Sequence, residues 1–229
     1  MTDIAQIAGL EIDAVVQITG KKRDILEKKF RKPKDAVEFA RGAHEELLGI
    51  AGVQRSRPKG NWDIGTVSVA CERRYFRVIA SFPNLSASNS NQVARKIFSY
   101  AGRLGCNYGY LGFGPDQVFV QGRARGSKVG GSVGLTDFDN KYGSGADLVR
   151  LGKEIFETRT VDVFLMNMIG PGHLAADVGG LTLAEAIEKG GHGTLEPIGF
   201  DRWVWQIPEN DVMATRRMLL GAQMTTATE

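Results

Sequence analysis

The chain has 229 residues, of which 42% are hydrophobic and 24% are charged, and its formal net charge is +3. No apolar run approaches the roughly 20 residues that a membrane-spanning helix needs. Two cysteines are too few for a disulfide framework or a cysteine-based metal cluster. The N-terminal stretch MTDIAQIAGLEID has no cationic segment ahead of an apolar one, so it does not resemble a secretory signal. A protein without a membrane span is expected, with the cytoplasm as its default location.

Charge is divided unevenly along the chain. Residues 1–130 contain 21 Lys and Arg against 12 Asp and Glu, a net charge of +9. Residues 131–229 contain 8 against 14, a net charge of −6. A basic half predicts an anionic partner, and an acidic half predicts a face turned to solvent or to a basic neighbour. The alternative is that the lysine-rich segments are only the solvated faces of helices.

The first 105 residues are predicted to contain a strand, a hairpin and three helices. The alternating apolar residues of 10–19 predict a half-buried strand. The segment TVSVACERRYFRVIASF predicts a β hairpin that turns at Glu72 to Arg74. Apolar residues at helical spacing predict helices at 21–32, 33–52 and 91–105.

The rest of the chain alternates short strands with helices. Strands are predicted at 107–113, 116–122, 160–169 and 199–207, and helices at 145–157, 181–190 and 209–222. The strand at 160–169 is apolar throughout, so it is expected to be central and covered on both faces. Strands and helices without a strict βαβ rhythm predict one α+β domain over residues 1–229, with a mixed, mostly antiparallel sheet and several packed helices.

A glycine-rich loop at 122–145 begins with the stretch QGRARGSKVGGSVG. A P-loop needs four residues between its first two glycines, but only three separate Gly122 from Gly126. The later glycines also miss the dinucleotide-binding spacing. What the loop offers is three cations, Arg123, Arg125 and Lys128, on a backbone that can approach phosphate closely. A solvated turn would have the same composition.

The stretch YGYLGF, from Tyr108 to Phe113, resembles the last six positions of the octamer on the third strand of an RNA-recognition motif. The upstream segment VIASFPNL ends as the companion first-strand motif does. The resemblance implies that the rings of Tyr108 and Tyr110 stand on an open sheet face and stack on bases. Cys106 and Asn107 depart from it, because they replace a basic residue and a glycine. The alternative is that the two tyrosines pack against a neighbouring helix.

Two further groups of side chains have a candidate role. His173, Asp177 and His192 lie in turn-rich segments after the predicted central strand, where an acid–base or metal site can form. Trp203 and Trp205 share one face of their strand, and core packing is their expected role, with a subunit contact as the alternative.

The function predicted from the sequence is that of a nucleic-acid-associated binding protein, acting on single-stranded or phosphate-rich partners such as RNA, without a cofactor or resident metal. Its predicted binding residues are Arg73, Arg74, Arg77, Tyr108, Tyr110, Arg123, Arg125 and Lys128. Stacking rings and cations together are sufficient for single-strand binding. One alternative is an assembly subunit whose basic and acidic halves pair head to tail. Another is an enzyme that acts on a small anionic substrate near His173 and His192.

Overall fold

The described residues form two sheets, one in each of the two units into which the chain divides, Met1–Gly105 and Cys106–Glu229. The computed structural model describes residues 14–19, 25–29, 32, 34–35, 38–39, 47–54, 65–72, 75–81, 87–112, 156–160 and 162–225. All strand pairs within the two described sheets are antiparallel, and each unit also contains helix. The α+β class is therefore confirmed, and a single domain over 1–229 stays a prediction.

A five-stranded sheet forms the N-terminal unit, with strand order β2-β1-β3-β4-β5. Its strands are β1 (Ala14–Thr19), β2 (Ile25–Lys29), β3 (Leu47–Gln54), β4 (Gly65–Glu72) and β5 (Tyr75–Ser81). The predicted hairpin is confirmed, because β4 pairs with β5 and Glu72 lies opposite Tyr75. Helix α1 (Ala87–Arg103) follows the sheet and confirms the helix predicted at 91–105.

One segment predicted as a helix contains a strand instead, and a second is helical at residues 34–35 and 38–39 but ends in a strand. β2 lies within the helix predicted at 21–32 and pairs with β1, and β3 overlaps the end of the helix predicted at 33–52. The apolar run of β3 lies between β1 and β4, and it contains Gly49 and Gly52, which weaken a helix. Short apolar runs fit both periodicities, so pairing with neighbouring strands decided the outcome.

A four-stranded sheet forms the C-terminal unit, with strand order β6-β7-β9-β8. Its strands are β6 (Gly109–Leu111), β7 (Met166–Ile169), β8 (Thr194–Gly199) and β9 (Arg202–Gln206). Every residue of β7 is buried, and β7 lies between β6 and β9, which confirms the predicted central strand. The sequence analysis missed β8. Its Pro197 is tolerated because β8 ends the order of the described sheet.

Helices cover one face of this second sheet. They are α2 (Pro171–Leu174), α3 (Leu183–Gly190) and α4 (Val212–Gly221), with a 3-10 turn at Glu209–Asp211 before α4. Helix α3 begins at a capping box, in which the Thr182 hydroxyl accepts from the Glu185 N–H and the Glu185 carboxylate accepts from the Thr182 N–H. Such a cap stabilises a helix by about 1 kcal/mol. None of the described helices is both long and apolar enough to cross a membrane.

The core of the C-terminal unit lies between the sheet and these helices. Its buried side chains include Ile169 and Trp205 from the sheet, Leu183 and Ile187 from α3, and Leu219 from α4. Leu183 and Ile187 are four residues apart, so both point to one side of their helix. Trp203 packs against the same cluster while remaining partly exposed. Core packing is thus confirmed as the role of the two tryptophans.

Candidate functional site

The structure describes the side chains of two of the eight predicted binding residues, Tyr108 and Tyr110. Arg77 lies in β5, opposite Ala70 of β4. Five predicted cations lie outside the described residues: Arg73, Arg74, Arg123, Arg125 and Lys128. The grouping of cations with tyrosines therefore stays a prediction, and the geometry of the two tyrosines can be given in detail.

Tyr108 and Tyr110 belong to a run of stacked rings. Their own ring centroids are 6.1 Å apart with a 41° tilt. Tyr110 stacks on Phe164 at 4.3 Å and 14°, and Tyr108 stacks on Phe156 at 6.0 Å and 10°. The Tyr108 hydroxyl also donates to the Asp162 carbonyl oxygen at 3.2 Å. Each tyrosine is half-buried, so its ring is held in place while part of its surface reaches solvent.

The register of the sheet defines which face the tyrosines occupy. Tyr110 lies opposite Asn167, and Asn167 lies opposite Trp205. Residues directly opposite each other across strands point to the same side of a sheet. Trp205 belongs to the core beneath the helices, and Tyr108 packs against the same core. The two rings therefore stand on the helix-covered face, as the packing alternative expects.

The resemblance to an RNA-recognition motif does not extend to the described fold. In that motif the two aromatic segments lie on strands of one sheet. Here the segment VIAS ends β5 in the five-stranded sheet, whereas Tyr110 lies in β6 of the four-stranded sheet. Stacking on bases by Tyr108 and Tyr110 stays a prediction that rests on their partial exposure.

His173 is buried, and both of its ring nitrogens are engaged inside the protein. Nδ1 accepts the N–H of Gly170 at 3.3 Å, so the proton is on Nε2, which donates to the Arg159 carbonyl oxygen at 3.1 Å. The ring also stacks on Tyr108 at 5.7 Å. Burial lowers the His173 pKa to about 4; the Arg159 carbonyl opposes the shift and the charge of Arg202 adds to it. A neutral ring with both nitrogens engaged braces the loop after β7 and has no site left for a metal or a substrate proton.

His192 and Asp177 are also engaged in local structure. His192 Nδ1 shares a hydrogen bond with the Thr215 hydroxyl at 3.2 Å, and its carbonyl oxygen accepts from Trp205 Nε1 at 2.8 Å. Asp177 accepts the Gly180 N–H at 2.7 Å within a turn. Within the described part of the chain, no group of three His, Cys, Asp or Glu side chains is arranged to hold a metal ion. The described contacts do not join His173, Asp177 and His192 into one site.

Arg202, a cation with several hydrogen bonds in this unit, was not singled out from the sequence. Its Nε donates to the Cys106 carbonyl oxygen at 2.8 Å and its Nη2 to the Asn107 side-chain oxygen. Its Nη1 donates to the carbonyl oxygens of Asp201 at 2.7 Å and Phe200 at 3.2 Å. These acceptors are all neutral, so Arg202 acts here as a planar multi-donor group that joins the segment before β6 to the β8–β9 turn.

Arg216 and Asp162 form an ion pair inside this unit. Arg216 Nε donates to Asp162 Oδ1 at 2.8 Å, and the same oxygen accepts the Val163 N–H. Asp162 is nearly fully buried. Because a buried carboxylate is destabilising without a partner, this pair supports the fold of the unit.

No protein-family model matches the chain, and comparison with curated proteins and with solved structures finds no match either. The function must therefore be argued from the charges and contacts of the chain itself.

Proposed function

We propose that the protein is a nucleic-acid-associated binding protein that holds single-stranded or phosphate-rich partners through its basic half. The observation that carries the proposal is the division of charge between the two units. Met1–Gly105 contains 18 Lys and Arg against 11 Asp and Glu, a net charge of +7, and Cys106–Glu229 contains 11 against 15, a net charge of −4. Even if every acid of the first unit paired with a cation, seven cations would remain, and phosphate is the anion that such a surplus attracts.

The β4–β5 hairpin concentrates part of this surplus. Glu72 and Tyr75 are paired, and the two residues between them in the sequence are Arg73 and Arg74. Arg77 follows within β5. Guanidinium groups donate several hydrogen bonds in one plane, which suits phosphate oxygens. In the proposal these three arginines contact the phosphate backbone. The loop cations Arg123, Arg125 and Lys128 do the same; they belong to the second unit but still to the basic half, residues 1–130.

The tyrosines have a secondary role in the proposal. The rings of Tyr108 and Tyr110 are fixed by their stacks on Phe156 and Phe164 and are half-exposed at strand β6. A ring that is already ordered loses little entropy when an unpaired base stacks on its exposed part. Stacking would add affinity that does not depend on the salt concentration. The proposal also includes a cytoplasmic location for the protein.

The test is a fluorescence-anisotropy titration of single-stranded RNA and DNA at several salt concentrations. Each phosphate contact contributes about 0.7 to the slope of log affinity against log salt for single strands. We expect the triple variant Arg123→Ala, Arg125→Ala, Lys128→Ala to reduce that slope by about 2. The triple variant Arg73→Ala, Arg74→Ala, Arg77→Ala should reduce it by a similar amount.

Two matched variants make the outcome specific. Arg217→Ala removes an exposed cation from α4 in the acidic unit and should leave the slope unchanged. Tyr110→Leu should weaken binding about tenfold with the slope retained, because stacking contributes about 1–3 kcal/mol per base without releasing counterions. Triple variants that bind with the wild-type affinity and slope would overturn the proposal.

A further inference from the structure

The turn between β8 and β9 has an unusual residue at its tip. Gly199 pairs with Arg202, so the turn consists of Phe200 and Asp201. Both have positive φ, 56° and 52°. These values are typical of a type I′ turn, in which Asn-Gly or Asp-Gly is preferred. A phenylalanine at the first position is strained, because its Cβ crowds the backbone in the left-handed region.

The Phe200 side chain is exposed and adds nothing to the described core. It is 57% exposed, the largest exposed fraction among the large hydrophobic side chains of the described residues. Its ring enters none of the ring stacks formed by those residues. Packing therefore does not account for a bulky apolar group at a strained position. Backbone outliers of this kind occur at functional sites, where an interaction offsets their cost.

The tip is also held in position. Arg202 donates from one nitrogen to the carbonyl oxygens of both tip residues and from another to Cys106. The backbone beneath Phe200 is thereby connected to the segment that leads into β6. An aromatic ring on a turn whose backbone is held in place is suited to anchor a protein contact, because the backbone loses little entropy when the ring docks.

The charge around the tip indicates what chemistry the partner has. Asp201 is exposed beside Phe200, the Arg202 guanidinium lies at the base of the same turn, and the unit that carries the hairpin has a net charge of −4. A basic protein surface with an apolar recess would be attracted, and the chain itself contains a basic unit, Met1–Gly105, with a net charge of +7.

We propose that the Phe200 hairpin docks on the basic N-terminal unit of a second copy of this chain. Such a contact joins two different surfaces, so it is a head-to-tail contact that can be repeated from copy to copy. It also uses the basic unit that carries Arg73, Arg74 and Arg77 of the proposed nucleic-acid binding. Single-stranded RNA should therefore dissociate the assembly, and a failure of RNA binding would leave the self-association measurable by itself.

The test is light scattering coupled to size-exclusion chromatography on the full-length, nuclease-treated chain. Concentrations of about 1 to 100 µM cover associations of ordinary strength. Raising the salt from about 50 to about 500 mM shortens the screening length roughly threefold. We expect concentration-dependent association at low salt that is lost at high salt.

Variants at the hairpin distinguish this contact from non-specific self-association. Phe200→Asn should weaken association at least tenfold, because asparagine fits the turn but removes the ring. Asp201→Asn should weaken it less and reduce its dependence on salt. The control Met213→Gln removes an exposed apolar side chain from α4 and should leave association unchanged. A wild-type chain that stays monomeric throughout, or Phe200→Asn that associates as the wild type does, would overturn the proposal.

Discussion

The two units of the chain differ in how they use charge. In Cys106–Glu229 several described charges are engaged internally: Arg216 pairs with Asp162, Lys189 pairs with Glu185, and Arg202 holds the β8–β9 turn. In Met1–Gly105 the number of cations exceeds the number of acids by seven, so internal pairing cannot neutralise the unit. A charge used inside a unit supports the fold of that unit, whereas a surplus of charge across a unit indicates the chemistry of its partner.

The largest effect expected in the acidic unit comes from Gly193→Ala. Gly193 has a φ of +107°, and a Cβ at this position would overlap the carbonyl oxygen of Gln206 in β9. We expect a loss of about 3 kcal/mol or more in the free energy of unfolding, because backbone strain and steric overlap add together. Urea unfolding followed by tryptophan fluorescence would measure it, since Trp205 lies in the core next to this site.

The control for this substitution is Gly179→Ala. Gly179 also has a positive φ, 73°, but a Cβ there would meet nothing within 4 Å. We expect this variant to lose only about 1 kcal/mol, the cost of the backbone conformation alone. Equal losses in the two variants would contradict the packing of Gly193 against β9.

A smaller effect, dependent on pH, is expected from His173. Its folded-state pKa of about 4 lies below its ordinary value of 6.5, so the unfolded chain binds more protons between these two values. The contribution of neutral His173 to the free energy of unfolding is therefore fully present above pH 6.5 and is lost as the pH falls towards 4. We expect the free energy of unfolding to fall by about 2 kcal/mol between about pH 7 and about pH 5.

Substitution at His173 tests the origin of this slope. His173→Gln should be less stable than the wild type at neutral pH, because hydrogen bonds to Gly170 and Arg159 are lost or weakened. The same variant should lose most of the pH dependence, since the buried titrating group is gone. His192→Gln is the matched control and should keep the slope, because His173 remains. A slope unchanged by His173→Gln would show that other groups cause it.

The smallest effect is expected at the β8–β9 turn. Phe200→Asn should raise the free energy of unfolding by about 0.5–1 kcal/mol, because asparagine adopts positive φ at lower cost than phenylalanine. Thermal unfolding of the wild type and the variant at low concentration and high salt would measure the gain without self-association. A loss of stability would mean that the Phe200 ring contributes to folding, and would remove the case for it as a contact residue.

Much of the fold was predictable where local sequence and tertiary environment agree. The apolar run of β7, the hairpin of β4 and β5, and the amphipathic helices α1, α3 and α4 were all predicted from periodicity. The strands β2 and β3 were mistaken for helices, because their apolar residues fit a helical spacing and only pairing with β1 reveals them as strands. Strand β8 was missed because Pro197 and Gly199 are typical of a turn, and its pairing with β9 overrides that signal.

The candidate site was less predictable, because its contacts join distant parts of the sequence. The two-residue spacing of Tyr108 and Tyr110 identified the aromatic strand, but not the face that it occupies. The acceptor Cys106 is separated from Arg202 by 96 positions, and the carbonyl that engages His173 comes from Arg159. No local pattern encodes such pairings. The charge surplus, by contrast, is a sum over residues and needs no contact to be counted.

The salt dependence of single-stranded RNA binding by the wild-type chain is the deciding measurement. We expect saturable binding at about 50 mM salt, and a log–log slope of about −4, equivalent to about six phosphate contacts. Absence of binding at this salt concentration, or an affinity that does not change with salt, would contradict the claim that the basic surplus binds phosphate.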